Sequence, residues 1–301
     1  MKNSWKDEIT KICTGEVRFD EPLSKYTSYQ IGGPADVYVI PDKIEDLLKL
    51  VLFTEEREIA RFIIGLGSNI LVSDQGIRGI VIDLRTCASE IKREENRVWV
   101  GAGRKLWEFL DYLRDQGLEG FQNLIGIPGT VGGAIKMNAG AFGVELFDRV
   151  LSVDILQPTG EITNLKKENI DFGYRRGIIP GNRVFLGTWV QLELGNTNEI
   201  AEQMKETLAR RESKQPLEYP SAGSVFRRPP GDYAGRLIEE SGCKGLRVGQ
   251  AQVSEKHAGF IINLGGASAD DVRNLMDMVQ ERVLNQFGVH LQPEIEMIGF
   301  N

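Results

Sequence analysis

An α+β fold in two or three domains is predicted by three features of the sequence. The chain has 301 residues, more than one domain usually holds, and 41% of them are hydrophobic, enough to bury a large core. Strand-like and helix-like segments alternate early, short strands dominate the middle, and a long capped amphipathic helix stands near the end. No internal repeat or low-complexity tract interrupts this pattern.

Val37-Tyr38-Val39-Ile40 reads as a strand. Pro41-Asp42 then opens a helix in which Ile44, Leu47, Leu48, Val51 and Leu52 recur at helical spacing, with Asp42 and Glu45 placed as a capping box. Phe62-Ile63-Ile64 reads as a buried strand, Gly65-Leu66-Gly67-Ser68-Asn69 as a loop, and Gly79 to Leu84 as a further strand. These elements make a small first unit, residues 1–85.

A second unit, residues 86–195, starts with a strand at Arg97 to Val100 and a helix from Leu106 to Gln116, which Gly117 should stop. After a glycine-rich stretch come strands at Val150–Leu156 and Glu161–Leu165, flanking the turn Pro158-Thr159-Gly160, and an apolar alternation from Val184 to Leu194. The third unit, residues 196–301, opens with a helix from about Asn198 to Glu212. It continues through an irregular stretch, Lys214 to Gly231, a short helix, Asp232 to Ser241, ended by Gly242, and strands at Gly249–Val253 and Gly259–Leu264. Ser268 caps the long helix with Asp271 three residues on; Val272, Leu275, Met276, Val279, Val283 and Phe287 form its apolar stripe, and Gly288 ends it. Met276 and Met278 read as core and surface filler. Pro293 to Ile298 alternates as a strand, with Glu294 and Glu296 on one face and Ile295 and Met297 on the other. Taken alone, that acidic face reads as solvated.

A net charge of −7, from 36 basic and 43 acidic residues, argues against a nucleic-acid partner. No apolar run of membrane-spanning length is present and no apolar segment follows Met1-Lys2-Asn3-Ser4-Trp5-Lys6, so a cytoplasmic protein without a membrane partner is expected. The oligomeric state is open, with a monomer favoured. Cys13, Cys87 and Cys243 lie far apart and read as ordinary thiols; His257 and His290 are not in a metal-ligand spacing, and no metal is expected.

The stretch from Gly126 to Gly143 holds Gly129, Gly132, Gly133 and Gly140, with hardly a charge. Such material is poor for a helix or a strand. It reads equally as a turn where elements pack too closely for side chains or as backbone amides left free to cradle an anion. Gly65-Leu66-Gly67-Ser68-Asn69 follows a strand but lacks the third glycine of a dinucleotide fingerprint and leads into a strand. Gly101-Ala102-Gly103 fails the same test, and no G-x-x-x-x-G-K-[ST] exists. Two glycine turns carrying Ser68, Asn69, Thr130 and Asn138 are nonetheless suited to holding a diphosphate from two sides.

Ser221-Ala222-Gly223-Ser224-Val225-Phe226-Arg227-Arg228-Pro229 puts a hydroxyl among small residues and beside two guanidiniums. The G-x-S-x-G pattern is absent, and neither histidine has an acidic relay, so an acyl-transfer triad has no support. On its own this segment reads as a loop with solvated arginines. Asp171-Phe172-Gly173-Tyr174-Arg175-Arg176 precedes a short loop, Gly177 to Arg183; adjacent arginines normally point apart, one toward a pocket and one toward water or both to solvent.

Taken together, Thr27-Ser28-Tyr29-Gln30-Ile31-Gly32-Gly33, Gly67-Ser68-Asn69, Ile127-Pro128-Gly129 through Asn138-Ala139-Gly140-Ala141, Tyr174-Arg175, Gly223-Ser224-Val225-Phe226 and Pro293-Glu294 stand in the order seen in UDP-N-acetylenolpyruvoylglucosamine reductases. The resemblance spans nearly the whole chain. It implies a two-lobed FAD-binding domain of the vanillyl-alcohol-oxidase type followed by a substrate-binding domain, and a reaction of peptidoglycan precursor synthesis in which NADPH reduces FAD and hydride passes to the enolpyruvyl double bond of a nucleotide sugar. It places Gly65, Gly67, Ser68, Asn69, Gly129, Thr130, Gly133, Asn138, Gly140 and Ala141 on FAD. Arg175 and a protonated Glu294 would stabilise the carboxylate charge that hydride addition creates, and Ser224 would protonate the resulting carbanion. Tyr174 would meet substrate, and Arg228 or its neighbour Arg227 would hold the diphosphate.

The family usually carries Ser two positions after the arginine, where this chain has Gly177. The loop after Arg175 resembles the branch that lacks a tyrosine-bearing lid, which leaves closure over substrate to another segment such as Lys214–Gly231. Two rivals stand beside this reading. One is an oxidase with covalently attached flavin, for which no histidine precedes His257; the other is a non-catalytic nucleotide-sugar binding module.

Overall fold

Local patterns become the expected elements through most of the chain, which the structure, a computed structural model, describes over residues 5–177 and 182–300. Two compact units form, one from Met1–Phe19, Val37–Gly65 and Gly79–Ala209, the other from Asp20–Asp36, Leu66–Arg78 and Arg210–Asn301.

The first unit contains two apolar cores. Helix Ile44–Glu56 buries Leu47, Leu50 and Val51 against Val37 and Val39 of strand Pro34–Ile40 and Ile80 and Ile82 of strand Ile77–Asp83. The sheet there runs Glu16–Pro22, Pro34–Ile40, Ile77–Asp83, Arg61–Ile64, with the last two parallel and Phe62 opposite Val81. The expected Asp42–Glu45 capping box does not form: the helix begins at Ile44, its N-cap is Lys43, and no side chain caps it. Asp42 lies one residue too early, and the Asp46 carboxylate instead accepts from the Thr14 amide and hydroxyl at 3.3 and 2.6 Å. Helix Trp5–Ile12 and strand Glu16–Pro22 add to the elements read from the sequence.

The second core lies on an antiparallel sheet of order Ile162–Lys166, Val150–Leu156, Val184–Gln191, Arg97–Gly101, Ile91–Glu94. Helix Leu106–Asp115 contributes Leu106, Phe109, Leu110 and Leu113 to it, and Gly117 follows the helix at φ +61°, a left-handed position that glycine takes without cost. The glycine-rich stretch departs from expectation. A six-residue helix, Val131–Lys136, forms within it, capped by the Thr130 hydroxyl, which accepts from the Gly133 amide. Tertiary packing overrides the low propensity, because a side chain at Gly132 would press on the Ala102 methyl and carbonyl at 3.0 Å.

In the second unit, helix Ala269–Phe287 has the capping box read from the sequence: the Ser268 hydroxyl accepts from Asp271 N at 3.0 Å, and Ser268 N donates to the Asp271 carboxylate at 3.1 Å. The Asp74 carboxylate adds a second cap, accepting from Ala269 N at 2.9 Å, and Gly288 ends the helix at φ +67°. Val272, Leu275, Met276, Val279 and Val283 are buried, Met278 is exposed, and Arg247–Val248, Ala251–Val253 and Ile261–Asn263 form an antiparallel sheet. Strand Ile70–Val72 pairs in parallel with Glu296–Ile298. The expected alternation through Pro293–Ile298 is corrected here. The strand starts only at Glu296, so Ile295 is buried while Met297 is exposed, and the two do not share a face.

Candidate active site

In the first unit the glycine-rich stretch is mostly spent on the protein itself. The amides of Val131, Gly132 and Gly133 donate to Arg104 O, Ala102 O and Thr130 Oγ1 at 2.8, 2.8 and 3.3 Å, so these three are not free to hold an anion. Two consecutive amides remain. Gly129 and Thr130 are buried, and their N–H groups make no hydrogen bond among the described residues. A buried unpaired N–H is costly, so this pair calls for an acceptor from outside the chain. Gly65 adjoins it: a Cβ there would lie 2.5 Å from Thr130 Oγ1. Gly133 is exposed with no atom nearer than 3.8 Å to a built Cβ, which leaves room beside the same hydroxyl.

Asn138 turns inward. It is fully buried, and its amide nitrogen donates to Glu145 Oε2 at 2.7 Å and Gly173 O at 3.1 Å while its oxygen accepts from Phe147 N at 3.0 Å. Its side chain therefore ties the glycine stretch to the hairpin formed by Phe172–Gly173 and Arg176–Gly177. Tyr174 and Arg175 make the two-residue turn of that hairpin. Arg175 has φ +53°, a left-handed conformation that a side chain with Cβ adopts at a cost of about 1–2 kcal/mol. Its guanidinium lies 5.0 Å from the half-exposed Tyr174 ring and donates to Gly140 O at 3.4 Å, next to Ala141. Arg176 pairs with Asp171 at 2.8 Å, so the adjacent arginines do point apart.

Gly177 explains the missing serine. A Cβ there would overlap the Ile135 carbonyl and sit 2.9 Å from the Phe147 ring, so no hydroxyl-bearing side chain fits. Gly177→Ser should cost on the order of 3 kcal/mol of stability or more, read from denaturant unfolding; an unchanged midpoint would refute this account of the position. Residues 178–181 of the loop read as Gly177–Arg183 lie outside the described residues.

In the second unit, Ser224, Val225 and Phe226 lie between two other segments. Val225 N donates to Gly259 O at 2.9 Å, while Val225 O accepts from Glu294 N at 2.7 Å; Ser224 bridges Phe260, and Phe226 bridges Pro293. Ser224 and Glu294 are thus joined through one residue. Ser224 is half-buried and its hydroxyl makes no hydrogen bond among the described residues, so it is available to donate. Ala222, Val225 and Phe226 are core, so the middle of Lys214–Gly231 cannot swing as a lid.

Loop Gly67-Ser68-Asn69 is built from the other side of the same unit. Gly67 has φ +58°, Ser28 N donates to its carbonyl at 3.0 Å, and a Cβ on it would overlap Tyr26 O. This packing gives the Thr27–Gly33 motif its work: it seats the loop. The Asn69 side chain donates to Glu294 O at 3.2 Å.

Arg228 is exposed, 3.9 Å from the Tyr233 ring, with Nε donating to Asp232 O at 3.3 Å. The Arg236 guanidinium, helped by the Tyr233 amide, holds the Asp232 carboxyl down to about 2. His257 Nδ1 accepts from Gly259 N at 3.1 Å, and burial lowers its pKa, which keeps the ring neutral with its proton on Nε2. Burial pushes the Cys87 thiol up to about 12, as suits an unreactive thiol. Among the described residues no helix is long and apolar enough to cross a membrane, and no group of three or more His, Cys, Asp or Glu could hold a metal.

With this geometry in place, the chain can be set beside known proteins. Residues 35–166 match an FAD binding domain, and residues 215–298 match the family described as UDP-N-acetylenolpyruvoylglucosamine reductase, C-terminal domain. The enzyme of that name from Caldanaerobacter subterraneus subsp. tengcongensis is 45% identical over 295 residues, covering 97% of each chain. That from Pediococcus pentosaceus is 46% identical over 300 residues, covering 99% of each. The crystal structure of the Thermus caldophilus reductase superposes with a TM-score of 0.80 at 36% identity, covering 94% of this chain and 98% of that one.

Proposed function

The chain belongs to the UDP-N-acetylenolpyruvoylglucosamine reductase family, and from that premise we propose that Arg175, Ser224 and Glu294 are its catalytic residues. The protein is an FAD-containing, NADPH-dependent oxidoreductase with a two-lobed FAD-binding domain and a C-terminal substrate-binding domain. It reduces the enolpyruvyl group of UDP-N-acetylglucosamine-enolpyruvate to the lactyl ether, giving UDP-N-acetylmuramate in peptidoglycan precursor synthesis. We propose domain divisions near residues 85 and 195; one core of the first unit draws all its buried residues from Val98 onward and the other draws most of its from residues before 85.

FAD, reduced by NADPH, supplies hydride to the enolpyruvyl double bond. The chain's own residues must bind the cofactor and manage the charge that follows. The amides of Gly129 and Thr130, without a partner among the described residues, suit a pyrophosphate oxygen, and we propose Gly65, Gly67, Ser68, Gly133, Gly140 and Ala141 as further FAD contacts, as membership of the family implies. Asn138 enters that set through backbone alone, since its side-chain amide is engaged on both nitrogen and oxygen, while the Asn69 amide nitrogen already donates to the protein.

Hydride addition to the methylene carbon pushes negative charge through the adjacent carbon onto the carboxylate. Arg175 meets that charge with a fixed cation, and Glu294 in its protonated form donates a hydrogen bond to it. The Ser224 hydroxyl gives its proton to the carbanion; serine is a weak acid, and a strongly basic carbon suffices to take the proton. Tyr174 and Arg228 are proposed to bind substrate. Stacked on Tyr233 and anchored through Nε, Arg228 keeps its outer fork for the UDP diphosphate.

The observation that carries the assignment is the joining of Ser224 and Glu294 through Val225. Its test is substrate-dependent NADPH consumption by the FAD-loaded protein. Oxidation that needs the enolpyruvyl nucleotide sugar supports the reading, whereas binding without oxidation would mark a nucleotide-sugar module. We also propose a cytoplasmic monomer; sedimentation of the holoenzyme checks the second part.

A further inference from the structure

The backbone of Glu294 is held on both sides. Its amide donates to Val225 O at 2.7 Å, and its carbonyl accepts from the Asn69 side chain at 3.2 Å. Regular pairing between Ile70–Val72 and Glu296–Ile298 begins beyond this point, with Glu296 N donating to Asn69 O at 2.9 Å. Pro293 has no amide proton to add to the ladder. The Asn69 side chain therefore extends the ladder by one bond and places it on the residue that carries the acid.

We infer that Asn69 is a positioning residue for Glu294, and that its side chain serves the substrate half of the reaction through Glu294 in place of gripping the cofactor. The inference rests on the reading of Glu294 as a donor to the substrate carboxylate. A hydrogen bond at the carbonyl fixes the peptide plane from which the Glu294 side chain springs. Loss of that bond lets the carboxyl drift, and a displacement of about 1 Å at a reacting centre costs up to about 100-fold in rate. The strand pairing beside it uses the Asn69 carbonyl, which any residue supplies, so the loop itself survives removal of the side chain.

The test is anaerobic stopped-flow on the FAD-loaded Asn69→Ala and Asn69→Asp variants. Asn69→Asp keeps the shape and removes the donor, and it also serves if the alanine variant does not fold. Both should reoxidise with the enolpyruvyl substrate about 10- to 100-fold more slowly than wild type. FAD affinity should stay within about threefold and reduction by NADPH within about twofold, because neither passes through Glu294. In an E294Q background, N69A should cost less than about twofold more, because two residues acting as one unit are not additive. A matching fall in FAD affinity, an N69D variant at wild-type rate, or full additivity with E294Q would overturn the positioning role. Failure of the wild-type holoenzyme to pass hydride to the enolpyruvyl substrate would instead overturn the reading of Glu294 itself.

Discussion

Replacing Ser224 with alanine should leave reduction of FAD by NADPH at wild-type speed and slow reoxidation by the enolpyruvyl substrate by about 10²- to 10⁴-fold. The asymmetry follows from where a proton is needed. Hydride transfer from NADPH to FAD makes no carbanion on substrate, so the hydroxyl has nothing to quench in that half. In the other half a carbon next to a carboxylate must gain a proton, and the Ser224 hydroxyl makes no competing hydrogen bond among the described residues. Val225, which follows it, is fully buried and bonded through both N and O, so the variant should keep its backbone and its stability. Single-turnover traces of the two half-reactions decide the matter. Equal losses in both would mean that Ser224 shapes the site and does not donate.

Arg175→Gly should lower turnover by about 10²- to 10³-fold, the cost of one preorganised charge-stabilising donor, while leaving stability unchanged or raising it by up to about 1 kcal/mol. An arginine at φ +53° in a two-residue turn is locally unfavourable, and glycine takes that conformation freely. A residue kept for the fold would not sit there. Strain of this kind persists where the surroundings hold it, and Asn138, which fixes Gly173 O, does so here. Thermal unfolding beside steady-state kinetics is the check. A variant that lost stability along with activity would mark Arg175 as structural.

Elements with local signals were legible in the sequence. Ser268, Asp271 and Gly288 mark both ends of the last long helix by chemistry confined to neighbouring residues, and all three do what their types suggest. The family motifs were legible in the same way, as short strings in a fixed order. What escaped depends on distant partners. The helix Val131–Lys136 exists because Ala102 packs against Gly132, and nothing within six residues of glycine-rich sequence announces it. The Asp42–Glu45 spacing suggested a cap, but the helix starts two residues after Asp42, and Asp46 bonds to Thr14 across 32 positions.

The site divides along the same line. Glycine density raised both tight packing and anion binding: Gly132 stands where Ala102 comes too close for a side chain, as Gly65, Gly67 and Gly177 do before backbone or a hydroxyl, while the Gly129 and Thr130 amides, without a partner among the described residues, are the ones proposed for the anion. Asn69 and Asn138 stand in glycine loops, where polar residues often meet a cofactor, and their side chains also bond within the protein. Their bonds to Glu294 and Gly173 span 225 and 35 positions, and no reading of a loop alone reveals them. Gly177 looked like a lost contact, yet the Ile135 carbonyl and the Phe147 ring leave no room for the serine.

The central claim is that hydride arrives at one carbon of the enolpyruvyl group and a proton at the other. Turnover in heavy water with unlabelled NADPH, followed by NMR of the product, tests it most directly. The account predicts solvent deuterium on the carbon that bears the carboxylate and the ether oxygen, whatever label reaches the new methyl group through exchange of the flavin-borne hydrogen with water. Deuterium in the methyl group, with the carboxylate-bearing carbon unlabelled, would contradict it.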